Sequence, residues 1–561
     1  MICTRKKEHL SIAIVQYIKD DRVKYFISVA SGFLSAFTCT IIAWSSVSFL
    51  YIGLSPWTMI GFIPDQIIAL IMPLGYLVMA VRFARSVTGK LPVKILVWCA
   101  ILLGTLLSFP VISKVIWGFD SPDWVFNIND TLVLAAGSIK IPAVIFIIAA
   151  ALLGTPLFVV MGALSFILIQ SSYGEIDVVS NQIYTALTQS SIIPLALFTL
   201  VGFFLSESKA GERLVLTFKS LFSWIPGGMI IATVIICAFF TSFTGASGVT
   251  ILALGGLLFT ILNEKSKYPE KFTVGLLTSV GGIGLLFPPS LPLILVGAAT
   301  MTNTIHLFAG GIIPGFILVL AMIIFGIVAS INNKIPVEKF EVKKALSSLK
   351  VSVWEILLPI LLVAGFFTGI LSTLEIGAAA VVYVFFIEVI VHRDIKLKDL
   401  PKVFSKAIPI IGGVLSILAL SQALSYYIID TQAPQQLAAW MAEAIQSKYV
   451  FLLLLNLALL VVGCLMDIFS AIVVVLPLIV PLGQAYGIDP VHLGVIFVIN
   501  MEVGFLTPPV GMNLFLATYR FKKPFLEICK FVVPFLLVQL IVVLLVTYVP
   551  ALSTWIPSLL K

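Results

Sequence analysis

Residues 241–250 read TSFTGASGVT, five hydroxyl side chains and two glycines in ten positions. They lie inside Leu221–Asn263, a stretch without a single Asp, Glu, Lys or Arg. Glycine and β-branched or hydroxyl residues are weak helix formers, so this patch interrupts the apolar segment 225–262 near its middle. An unbroken helix over 225–262 would be about 57 Å long, nearly twice the roughly 30 Å hydrocarbon thickness of a bilayer. The segment therefore reads as a re-entrant hairpin, with two arms that enter, turn at mid-depth and leave on the same side. Non-helical backbone at that depth is tolerated only where protein or a water-lined cavity satisfies it.

The rest of the chain sets this hairpin in a membrane. Of 561 residues, 60% are hydrophobic and 11% charged, against roughly 45–50% and about 25% in soluble domains. Apolar runs recur at 25–51, 64–82, 94–117, 141–171, 192–206, 225–262, 272–299, 306–331, 352–370, 374–391, 407–428, 449–485, 491–517 and 529–549. Runs of 18 or more apolar residues are candidate spanning helices, which makes the fold class an all-α polytopic membrane protein. A single soluble core stops growing near 250–300 residues, and continuous runs such as Ile472–Val475 lack the alternation of an outer-membrane barrel.

The net charge of +8 reflects topology rather than an acidic partner or nucleic acid. Lys and Arg cluster in the short stretches 81–94, 332–350, 392–406 and 520–530, which places those loops on the cytoplasmic side. The acidic stretch FDSPDWVFNINDTL, 119–132, reads as an external loop. Six scattered cysteines form no CxxC, so neither a disulfide framework nor a metal site is read from them. The four histidines are far apart, and no HExxH occurs. The first ten residues, MICTRKKEHL, lack the apolar core of a signal peptide.

A second long apolar segment, 449–485, carries its own polar interruption, GCLMDIFSA at 463–471. Each interruption is followed by a matching motif: GLLFPPS at 284–290 and GFLTPPV at 504–510 share Gly-x-Leu-x-Pro-Pro. Gly245 precedes Pro288 by 43 positions, and Asp467 precedes Pro508 by 41. Paired prolines remove helical hydrogen bonds and unwind the chain. Both halves thus carry a broken hairpin and then a Pro-Pro-broken helix, and such paired interruptions point to a transporter binding site.

At a break, free N–H groups suit an anion and free C=O groups, helped by hydroxyls, suit a cation such as Na⁺. The expected first Na⁺ site comprises Ser242, Thr244, Gly245, Gly284 and Pro288. The second comprises Asp467, Ser470, Gly504, Thr507 and Gly511, with Asp467 neutralising the cation. No Lys or Arg lies between Phe272 and Asn333, so an acidic substrate is left to helix N-termini and polar side chains, for which Ser247, Ser290 and Asn513 are the candidates. Any one of these hydroxyls is equally explained by back-bonding to its own turn; their clustering at matched breaks favours a site. Glu502, six residues before Pro508, is either functional or near an interface or a basic partner. His306 reads as a structural residue at a helix start. No cofactor is expected beyond the coupling ion.

The motifs TSFTGASG, GGIGLLFPPS, LFAGGIIPG (307–315), GCLMD and GFLTPPVGMNLF, together with WIPGGM (224–229), resemble the large membrane subunit of TRAP transporters, the tripartite ATP-independent periplasmic carriers. The resemblance covers 139–561, and residues 1–90 resemble the last two helices of the family's small membrane subunit. Residues 91–138 then read as a connecting helix and an external acidic loop. The first two small-subunit helices are expected to be encoded separately, lost, or omitted by a misplaced start.

The resemblance implies an inverted-repeat, elevator-type transporter in the bacterial inner membrane. It would be a Na⁺-coupled importer of a small organic acid of C4-dicarboxylate or sialic-acid type, supplied by a periplasmic solute-binding protein, with a separate small subunit or its missing half as a further candidate partner. Two departures stand out. Gly245-Ala246-Ser247 replaces the frequent Gly-Ser-Ser, and STLE (372–375) replaces a usual Thr-Pro-Thr-Glu. Competing readings are a standalone ion-coupled anion symporter, a membrane-embedded transferase and a purely structural subunit.

Overall fold

The computed structural model describes residues 20–560, except 56–58, 88–90, 119–121, 173, 190–191, 246, 338, 433–435, 437–439 and 442. Among them, nine helices are long and apolar enough to cross a membrane, or up to fourteen if each sharply bent pair counts as one span. Large apolar side chains such as Leu134, Ile141, Phe316, Ile324 and Ile541 are exposed, a surface that a bilayer solvates and water does not. The chain divides into two compact units, Met1–Gln189 with Ile408–Pro434 and Ser190–Ala407 with Gln435–Lys561.

In the first unit α1 (Asp21–Ser48) starts at Asp20, whose carboxylate accepts the Arg22 N–H at 2.8 Å. It packs against α2 (Ile71–Ser86) and α3 (Leu91–Leu107). Its buried face is rich in small residues, among them Ser35, Ala36, Thr40 and Ser46, which lets neighbouring backbones approach closely. Thr40 and Ser46 hydroxyls donate back to the carbonyls of Ala36 and Ile42 at 2.8 and 2.7 Å. α4 (Phe109–Trp117) bends 49° away from α3.

Two expectations need correction here. Residues 123–132, read as part of an external loop, are the first turns of α5 (Asp123–Leu152). Pro122 starts this helix, no Gly or Pro follows before Gly137, and Asp123 sits in the first turn, where a negative charge is favourable. The apolar run 141–171 is not one element either. It is cut at residues 153–156, where Gly154 has φ +86° and Pro156 follows, before α6 (Leu157–Ser172) and α7 (Asp177–Thr188).

The second unit opens with α8 (Ile193–Glu207) and the amphipathic α9 (Ala210–Phe222). The first interrupted segment follows as α10 (Gly228–Thr244) and α11 (Ser247–Phe259). The first Pro-Pro motif separates α12 (Glu270–Ser279) and a 3₁₀ turn, Ile283–Leu286, from α13 (Leu291–Thr300), with a 45° bend. α14 (Thr304–Asn332) closes this half. After α15 (Val342–Val351), α16 (Val353–Thr368), α17 (Thr373–Phe385) and α18 (Leu400–Asp430), which from Ile408 onward belongs to the first unit, the second half repeats the pattern. Its interrupted segment is α19 (Lys448–Leu465) followed by α20 (Ile468–Val474) and α21 (Leu476–Ala485), themselves bent by 57° at Val475, two residues before Pro477. Its broken helix is α22 (Pro490–Gly504) and α23 (Met512–Phe521), closed by α24 (Phe525–Tyr548) and α25 (Ala551–Leu559).

The two halves exchange contacts. Each first arm packs on its own broken helix, α10 on the 3₁₀ turn and α19 on α22. Each second arm packs on the other half's broken helix, α11 on α23 and α20–α21 on α13. The closing helices cross in the same way, α14 against α22 and α24 against α12. An approximate two-fold relation between the halves generates such an exchange. Arms of 17 and 18 residues are each about 26 Å long, so tips at mid-depth of a roughly 30 Å core require tilted arms.

A buried ionic cluster ties the outer elements of this unit together. Arg213 on α9 donates to Glu355 at 2.5 Å, Asp394 at 2.5 Å and Glu388 at 2.9 Å. Glu355 and Glu388 are buried, and His392 Nε2 lies 3.5 Å from Glu355. The Thr217 hydroxyl donates to Ser348 O at 2.9 Å, docking α15 on α9. The segments 332–350 and 392–406, both read as cytoplasmic, therefore both contact α9, at Thr217 and at Arg213.

Candidate functional site

The first tip is a helix C-terminus closed by Gly245, with φ +62° and its N–H donating to Thr241 O at 2.9 Å. Glycine adopts this left-handed backbone without steric cost. A side chain there would also strike Leu291, whose Cβ lies 2.6 Å from where a methyl would stand. The tip thus sits on the first turn of α13, immediately after the proline break. Ala246 lies outside the described residues.

Hydroxyls line this tip. Thr241 Oγ1 is 2.7 Å from Thr250 Oγ1 on the returning arm and donates to Gly281 O at 2.6 Å. The Ser242 hydroxyl donates to Phe239 O at 2.8 Å, the local back-bonding that the sequence left open. Gly284 touches the same turn, since a methyl on it would lie 2.1 Å from Ala238 O and 2.6 Å from Ser242 N. Ser242, Thr244 and Gly245 are therefore consecutive around one helix end, with Gly284 against it and buried Pro288 in the adjoining break.

The second break is built alike. Met466 is extended and ends α19, and Asp467 caps α20 by accepting the N–H groups of Phe469 and Ser470 at 3.0 and 3.1 Å. The Ser470 hydroxyl also donates to this carboxylate. Gly504, the counterpart of Gly284, lies against Gly463 and Cys464: a methyl on it would be 2.6 Å from Gly463 Cα. Gly511, at φ +53°, donates its N–H to Cys464 O at 3.0 Å. The Thr507 hydroxyl donates to Val503 O at 3.0 Å. So Gly504, Thr507 and Gly511 form one break beside the chain that leads into Asp467.

Of the three candidate substrate residues, the structure joins two. The Ser247 hydroxyl donates to Asn513 Oδ1 at 2.6 Å, linking the first hairpin to the second broken helix. Both residues are buried, and Asn513 Nδ2 has no partner. Ser290 instead caps α13, accepting from Leu293 N–H at 3.2 Å and donating to Leu285 O. Among the described residues no three His, Cys, Asp or Glu side chains gather as a metal site. A cation at either break would be held mainly by carbonyl and hydroxyl oxygens, the ligands hard cations prefer.

Sequence reading missed the Arg213 cluster and a second polar network, in which Asn500 Nδ2 and Thr547 Oγ1 donate to Asn456 Oδ1 at 2.6 and 3.2 Å. The only signal in the sequence was polarity inside apolar runs, which does not name partners. His306 lies in the first turn of α14, behind the Asn303 cap. The departure at STLE is a capping box: Ser372 Oγ accepts from Glu375 N–H at 3.3 Å, and Ser372 N–H donates to Glu375 at 2.7 Å. Glu502, buried with neither carboxyl oxygen hydrogen-bonded, has no basic partner among the described residues.

Comparison with known proteins places this geometry in a family. Residues 144–552 match the Tripartite ATP-independent periplasmic transporter, DctM component, and residues 1–93 match the DctQ component. The chain is 31% identical over 369 residues to the C4-dicarboxylate TRAP transporter large permease protein DctM of Pseudomonas aeruginosa, covering 66% of this chain and 86% of that protein. It is 27% identical over 493 residues to the isethionate TRAP transporter permease protein DctMQ of Oleidesulfovibrio alaskensis, covering 87% and 74%. In fold it resembles the crystal structure of the Alcanivorax borkumensis YdaH transporter, with TM-score 0.50 and 12% identity over 67% of this chain and 89% of that one. These relatives are named as permeases and not as enzymes, which removes the transferase reading. The chain belongs to the tripartite ATP-independent periplasmic transporter family, as a multi-pass inner-membrane permease of a secondary transporter that carries both DctQ-like and DctM-like sequence.

Proposed function

We propose that this permease imports a small organic anion with Na⁺, receiving it from a periplasmic solute-binding protein, and that the two hairpins and two broken helices move together as an elevator. The observation that carries this reading is the Ser247–Asn513 hydrogen bond of 2.6 Å. It sets the tip of one repeat beside the break of the other, which supports a shared site for cation and anion. The exchanged packing supports joint motion, because neither hairpin shifts without the other repeat's broken helix. Residues 1–90 serve as small-subunit sequence, 91–138 as the connector and 139–561 as the permease, in keeping with the matched ranges.

Names of relatives support an acidic cargo: C4-dicarboxylate in one, isethionate in another. Both are small anions, and the candidate site offers them polar side chains and helix N-termini. The test is uptake of labelled C4-dicarboxylate and isethionate into proteoliposomes, with and without the cognate binding protein. Uptake should require both the binding protein and Na⁺. Undiminished uptake with K⁺ or choline replacing Na⁺ rejects the coupling, and uptake without the binding protein favours a standalone symporter.

A further inference from the structure

Gly282 and Glu502 hold the same position in the two motifs, each six residues before the first proline of its pair. The structure brings these counterparts together. A methyl on Gly282 would lie 2.8 Å from Glu502 Cγ, 3.3 Å from its Cδ and 3.4 Å from its Oε1. One repeat gives up its side chain and the other places a carboxyl in the space, at the junction of α22 with the 3₁₀ turn of the first half.

That carboxyl is fully buried, and neither oxygen has a hydrogen-bond partner. No Lys, Arg or His pairs with it among the described residues. A buried carboxylate without a partner is strongly disfavoured, so the group either keeps a proton or gains a counter-charge. No described residue supplies that charge, which leaves a bound cation as its source where the group is ionised. An oxygen of the kind hard cations prefer adjoins Gly282 in the chain. Gly281, the neighbour of Gly282 in the first broken helix, turns its carbonyl toward the Thr241 hydroxyl at 2.6 Å.

We propose that the junction between the two repeats is a further Na⁺ site, with Glu502 as its anionic ligand, separate from the sites at the two hairpin tips. This rests on Na⁺ being the coupling ion. Na⁺ bound there neutralises Glu502 between the two broken helices, which links both to one ion.

The test is thermal melting of the purified full chain, titrated with NaCl at ionic strength held constant with KCl. Wild type should melt higher as Na⁺ rises. E502Q, which keeps the shape and removes the charge, should need at least tenfold more Na⁺ for half of the effect. Superimposable titrations would overturn the site. A wild type indifferent to Na⁺ would instead sink the coupling reading itself, so the two failures are distinct.

If E502Q does not fold, infrared difference spectra of D467N protein in Na⁺ and K⁺ decide the matter without it. A Na⁺-dependent shift of a carboxylate band supports the site. A protonated-carboxyl band that persists in both salts overturns it, because the group is then neutral and holds no cation.

Discussion

Gly463 and Gly504 pass each other with room for a side chain on neither: a methyl on Gly504 would stand 2.6 Å from Gly463 Cα, and one on Gly463 would stand 2.9 Å from Gly504 Cα. Gly284 makes the equivalent approach to Ala238 and Ser242 in the first repeat. These glycines fix how close each hairpin tip comes to its proline break. Gly504→Ala and Gly284→Ala should each cost about 1–3 kcal/mol of stability through overpacking. Each should also abolish most uptake, because the tip is displaced from the break. Uptake at wild-type rate in either variant contradicts the role given to the approach.

Asp467 does two things that one substitution separates. As a cap it accepts two backbone N–H groups, a task asparagine performs equally well. In the proposed mechanism its charge also neutralises a cation, which asparagine cannot do. Asp467→Asn should therefore melt within a few degrees of wild type while Na⁺-driven uptake falls at least tenfold. Normal uptake would show that capping is the whole function of this residue.

Arg213 faces three carboxylates, Glu355, Glu388 and Asp394. Removing the cation of a buried group leaves uncompensated charge at about 3–5 kcal/mol, so Arg213→Met should lower the melting temperature clearly. Burial opposes the charge of Asp394, but donation from Arg213 and from the Lys209 N–H outweighs it and holds this carboxyl below the usual carboxylate range. A depressed folded value stabilises the protein fully above the unfolded value, about 3.9, and this stabilisation is lost as pH falls through the folded value. Melting temperature should thus fall with acidification in that window in wild type. The same slope in Arg213→Met would contradict the pairing.

Much of the site was legible because breaks are written locally. Hydroxyls, glycines and paired prolines weaken a helix wherever they occur, and the 220-residue offset between motifs exposed the repeat. Pairings across long sequence distances were not legible. Arg213 and Asp394 are 181 positions apart, and nothing near either names the other. Gly282 and Glu502 were equally hidden, since a missing side chain has meaning only once its counterpart is seen beside it. The acidic stretch 119–132 misled for a different reason: its charges suit a loop, yet residues from Asp123 onward also suit the first turns of a helix.

The account turns on the two breaks meeting, and Ser247 with Asn513 is where they meet. The most direct measurement is cross-linking of a Ser247→Cys, Asn513→Cys pair in a chain whose six native cysteines are replaced. Oxidation or Hg²⁺ should bridge the pair within one chain and stop uptake, and a reducing agent should restore it. A folded, transport-competent pair that reacts singly with thiol reagents but never cross-links would contradict the account.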